Sequence, residues 1–122
     1  MPTSNKQASK RIKTMAEAQE YVKRFAKDCY KNTKDTRWLD YPNIDKFDHL
    51  HEELIEMSRK IRYHSRADSE RIIRKDKDIF VDGIGDLFFA LCRLANQLDI
   101  DIEHAFNIVH KKIYTRYSNN KK

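Results

Sequence analysis

The segment His51-Glu52-Glu53-Leu54-Ile55-Glu56 puts three carboxylates within about one and a half turns of a helix. Acids that close repel one another unless solvent or a cation screens them. A hard divalent ion is one such screen, because Mg²⁺ takes oxygen ligands, keeps several waters and bridges to phosphate oxygens. The plainer alternative is a solvated acidic face with partners one turn on, such as Lys60. A second pair, Asp82 and Asp86, lies four residues apart and so shares one helix face. Two antiparallel helices could turn both sets toward one cleft. Gly83 and Gly85 are the only glycines in the chain, and each lowers helix stability by about 1 kcal/mol relative to alanine. Close approach of a neighbouring helix, a metal with its waters, or a phosphate would each account for them.

The elements that must position these acids are helices. The 122 residues suit one domain. Two glycines and two prolines leave too few turn residues for a sandwich or barrel, and 36% charged residues do not suit a parallel sheet buried on both faces. The expected fold class is all-α. Residues 1–13 read as a basic, flexible arm, residues 14–118 as a single all-α domain and residues 119–122 as a polar tail. Thr14 can cap a first helix striped by Met15, Ala18, Val22, Phe25 and Cys29. From Lys31 to Pro42 the stripe breaks, and Trp38, Leu39 and Tyr41 make an aromatic loop. A second helix starts soon after Asn43 and runs to about Tyr63, with a seam of Phe47, Leu50, Leu54, Met57 and Ile61. On that helix Glu53 stands about 70° from the seam's centre and Glu56 about 130°. Residues 64–78 predict a short exposed helix or a mobile connector. A central helix then carries Phe80, Ile84, Leu87, Phe88, Leu91, Leu94, Ala95 and Leu98. Asp101 can cap a last helix with Ile102, Ala105, Phe106, Val109 and Ile113 facing inward.

These residues resemble the MazG-like nucleoside triphosphate pyrophosphohydrolases of the all-α superfamily, whose signature is EExxE, a variable spacer and ExxD. Glu52 to Glu56 match the first half, and residues 82–106 resemble the family's third helix, turn and fourth helix. The resemblance covers Pro42 to Tyr117 and departs at one position, where Gly83 stands in place of the ExxD glutamate. It implies a four-helix, MazG-like bundle completed by oligomerisation, as a homodimer or homotetramer. It also implies Mg²⁺-dependent (or Mn²⁺-dependent) hydrolysis of a nucleoside triphosphate to a nucleoside monophosphate and pyrophosphate, in the service of nucleotide-pool sanitation. Glu53, Glu56, Asp82 and Asp86 are then the expected metal ligands, with Asp82 replacing the missing glutamate, and Glu52 and Glu56 the expected catalytic carboxylates. Trp38, Tyr41 and Asn43 are candidates to bind the base, although plain anchoring of the loop also explains Trp38. Lys111, Lys112 and Arg116 are candidates for the pyrophosphate, against an ordinary solvated basic face.

Lys and Arg number 25 against 19 Asp and Glu, a formal charge of +6 that favours anionic partners. A basic helical nucleic-acid-binding protein would explain the charge but not the acid clusters, whose carboxylates repel phosphate, so nucleic acid is an unlikely partner. A di-iron bundle needs Glu-x-x-His pairs, and none of the five histidines follows a glutamate at that spacing. The remaining rival is a catalytically inactive MazG-like nucleotide-binding or scaffold protein, kept open by Gly83. Cys29 and Cys92 form no CxxC, so neither a disulfide framework nor a zinc site is expected. The apolar run at Leu87 to Leu91 is too short for a bilayer. A soluble protein of the reducing cytoplasm is expected.

Overall fold

The computed structural model describes residues 11–39 and 44–118. It contains α1 (Met15–Thr33), a 3-10 turn (Thr36–Trp38), α2 (Ile44–Ile61), α3 (Arg66–Lys75), α4 (Lys77–Gln97) and α5 (Ile102–Ser118), with no strand among the described residues. The four long helices are those the apolar spacing predicts. Of the two options for residues 64–78, the chain takes the short helix, because Ser65 accepts the Asp68 N–H at 3.1 Å and so caps it. Most of the arm, Tyr41 to Asn43 and the tail lie outside the described residues.

Both predicted caps form: Thr14 accepts the Glu17 N–H at 3.0 Å, and Asp101 accepts the His104 N–H at 3.0 Å. The first helix runs one turn past Cys29, where the sequence predicts a loop from Lys31. It stops at Lys34, whose φ of 60° gives the left-handed C-terminal cap that ends many helices. Its last turn is polar, so nothing in the apolar spacing reports it.

The core forms where α1 crosses α4. Val22, Cys92, Ala95 and Ile102 are buried together, with Met15, Ala18, Tyr21 and Phe89 against them. Ala26 and Ala90 are also buried, and side chains this small let backbones approach closely. Phe25 meets Phe89 and Trp38 edge to face, at 5.7 and 5.6 Å between ring centres. Two polar side chains lock this arrangement. Gln19 of α1 donates to Asn96 Oδ1 at 3.0 Å and to the Ile100 carbonyl at 2.7 Å, while its Oε1 accepts the Ile102 N–H at 2.9 Å. One side chain thus serves backbone groups that the turn between α4 and α5 would leave unpaired. Arg93, only 3% exposed, donates to the Arg37 carbonyl at 2.7 Å, and its guanidinium lies 5.3 Å from the Trp38 ring centre. It fixes the 3-10 turn that leads toward α2.

The last helix departs from expectation. Ile102 is buried, but Phe106, Val109 and Ile113 are 56%, 49% and 48% exposed, and Ile84 and Leu91 of α4 and Leu98 at its C-terminal cap are exposed as well. The predicted inner face of α5 is open because this helix packs mainly on α1, through its first turns.

Replacing Gln19 with alanine removes three hydrogen bonds and should lower stability by about 1–3 kcal/mol, read by urea unfolding. Burial pushes the Cys92 thiol from 9.0 up to about 11. The protonated thiol therefore favours the folded state fully below pH 9.0, and this contribution falls as the pH rises toward 11. Aromatic disulfide reagents should modify half-buried Cys29 well before Cys92, which reacts only as the fold opens.

Candidate active site

Each of the two acidic helices offers one face to a shared cleft of about 240 Å³. From α2 come Glu53, Glu56, Met57 and Lys60, and from α4 come Ile79, Asp82, Gly83 and Asp86. Both sets follow the i, i+3, i+4, i+7 spacing of a single helical stripe. On α2 this stripe is turned roughly 90° from the centre of the apolar seam, with Met57 belonging to both. Phe47 and Leu54, placed on the seam by sequence, are accordingly exposed. Tertiary packing overrides the apolar spacing on this helix: the most extensive helix pairing among the described residues, α2 with α4, forms beside the acids.

At Gly83 the wall of α4 lies close against Met57 of α2. A Cβ built there would stand 2.5 Å from Met57 Sδ and 2.7 Å from its Cγ, whereas one at Gly85 would meet nothing within 4 Å. Of the explanations open for the glycines, the neighbouring helix accounts for Gly83. No contact among the described residues requires Gly85. Glu53 is the most sheltered acid of the cleft, with its side chain 19% exposed, and its Oε1 lies 3.2 Å from His49 Nε2 one turn back. Glu56, Asp82 and Asp86 are exposed.

The donor set is oxygen only, four carboxylates from two helices, and so has the chemistry a hard divalent cation takes. The acids are not drawn together: among the described residues no three His, Cys, Asp or Glu side chains are grouped closely enough to hold a metal. Binding an ion would require rotamer changes in side chains that solvent leaves free to move.

The other candidates fall elsewhere. Glu52 is exposed and does not line the cleft. Lys111, Lys112 and Arg116 are exposed on α5 and line neither wall. Trp38 is half-buried between Phe25 and Arg93, the anchoring alternative for this residue, and Tyr41 and Asn43 lie outside the described residues. From sequence Lys60 reads only as a solvated partner and Ile79 is not brought to the acids, although both complete the helical stripes that the acids begin.

Comparison with known proteins agrees with this geometry. The MazG nucleotide pyrophosphohydrolase domain matches residues 42–120. A curated relative, "Uncharacterized protein YpjD" of Bacillus subtilis (strain 168), is 37% identical over 67 residues, which is 55% of this chain and 60% of that protein. The chain thus matches less than two thirds of that relative's length. No solved structure matches. The domain match takes in α2 through α5 and both walls of the cleft, well over half of the chain, and the protein belongs to the MazG nucleotide pyrophosphohydrolase domain family.

Proposed function

We propose that the protein hydrolyses a nucleoside triphosphate to a nucleoside monophosphate and pyrophosphate in a Mg²⁺-dependent reaction, with Mn²⁺ as an alternative ion, and that it serves nucleotide-pool sanitation in the cytoplasm. The observation that carries this proposal is the meeting of Glu53, Glu56, Asp82 and Asp86 in one cleft between α2 and α4. These four carboxylates would hold the ion, which when bound supplies charge neutralisation for the polyphosphate oxygens. The water oxygen bonds to phosphorus, the bridging bond between the α and β phosphates breaks, and a carboxylate accepts the water's proton. Glu56, exposed at the cleft, suits that last task, with Glu52 one turn back as the alternative. Lys60, on the same stripe, is placed to meet a phosphate oxygen.

The same proposal includes a homodimer or a larger homo-oligomer. An almost wholly apolar groove of about 400 Å³ runs between α4 and α5, lined by Phe88, Leu91, Leu98, Phe106 and Val109 among others, and exposed apolar surface of this kind favours association. Self-association would also let Lys111, Lys112 and Arg116 of one copy approach the cleft of another. One observation favours a second reading: with Gly83 at the motif position and the acids ungathered, the cleft would suit a nucleotide-binding or scaffold protein without turnover.

Pyrophosphate release from a panel of nucleoside triphosphates, with and without Mg²⁺, separates the two. Release is expected only with the ion, and Glu53→Gln should reduce it about 100-fold or more; equal release by both proteins would overturn the site, and nucleotide binding without release would favour the second reading. Sedimentation should give at least a dimer, with Phe106→Asp shifting it toward monomer, and a monomer at every concentration would remove the association.

A further inference from the structure

We infer that Met57 and Gly83 are a fitted pair that decides which positions of α4 present carboxylates to the acidic cleft; its consequence for metal binding rests on the cation proposed above. Position 83 lies in the middle of the cleft-lining stripe of α4, flanked by Asp82 and Asp86. A side chain there would begin 2.5 Å from Met57 Sδ, far inside contact distance. While Met57 keeps its seat, position 83 can hold no side chain. Gly85 lies on the same helix, and a Cβ built there meets nothing within 4 Å, so the close contact at 83 belongs to Met57 and not to a general need for glycine in this helix.

Methionine suits the role, because an unbranched thioether with three rotatable bonds fills an irregular gap between helices. Its seat sets the chemistry of the wall. Where a glutamate at 83 would add an oxygen donor, the cleft has sulfur and methylene groups, and α4 supplies its acids from 82 and 86, one turn apart. A cation held there takes fewer protein oxygens and keeps more of its own water, which lowers affinity. A glutamate at 83 requires Met57 to leave this seat, and a small residue at 57 removes that requirement.

Two readouts on the full chain test this. The first is binding of Mn²⁺ alone, followed by the electron paramagnetic resonance signal of the free ion, for wild type, Gly83→Glu, Met57→Ala and the double variant Met57→Ala/Gly83→Glu. The double variant should bind Mn²⁺ at least about 10-fold more tightly than wild type, and Gly83→Glu alone should gain no affinity and melt lower. The second is the melting temperature of Gly83→Ala, expected to fall in the wild-type background and to rise in the Met57→Ala background, where alanine's helix preference acts without the clash. The pair is overturned if Gly83→Glu alone binds as tightly as the double variant, or if Gly83→Ala changes the melting temperature equally in both backgrounds. Unequal melting shifts with no Mn²⁺ bound by any variant would uphold the pair and overturn the cation proposal; Mn²⁺ binding with equal shifts would do the reverse.

Discussion

Four carboxylates line one cleft between two helices, and the packing of those helices must hold against the repulsion of like charges. Glu53 and Glu56 on α2 line the same cleft as Asp82 and Asp86 on α4, and like charges that share a cleft repel unless solvent, a basic neighbour or a cation screens them. The opposing forces are a methionine seated on Gly83 between the two helices, a lysine on the same stripe, and a core built elsewhere, between α1 and α4. The acids and the core occupy different parts of α4. The acidic stripe ends at Asp86, and the buried run is confined to Ala90–Gln97.

That division explains the two buried polar side chains. Arg93 sits where an apolar residue would be expected on α4, yet its charge is spread over a planar group that donates to backbone carbonyls and lies against an indole ring. From the C-terminal half of α4 it grips the 3-10 turn that follows α1. Gln19 performs the matching task at the other end of the core, on the turn into α5. Stability is thus supplied at a distance from the site and reaches it through the rigidity of α4.

What could be read from the sequence was local. Thr14 and Asp101 were legible as caps because an N-cap depends on an N–H only two or three residues away, and the four long helices were legible from stripes of three and four. The convergence of the acids followed from their place beside those stripes. Contacts made across long stretches of chain were not legible: Arg93 finds its carbonyl partners 55 and 56 residues back, and nothing in the spacing singles it out. The rotation of α2 that leaves Phe47 and Leu54 in solvent is a property of the pair of helices and not of α2. Gly83 was recognised as a departure from the family motif, but its cause lies in Met57, a residue that reads on its own as an ordinary member of an apolar seam.

The clasp made by Gln19 joins a helix outside the matched family span to a turn inside it. The family match begins at residue 42, after α1 has ended, yet α1 supplies Val22 and Ala26 to the interior and a single amide to the turn before α5. A fragment trimmed to the matched span would keep every acid of the cleft and lose one side of its hydrophobic interior. In this protein the leading helix is a built-in cofolding partner, and freedom to vary its sequence stops wherever it touches the α4–α5 corner.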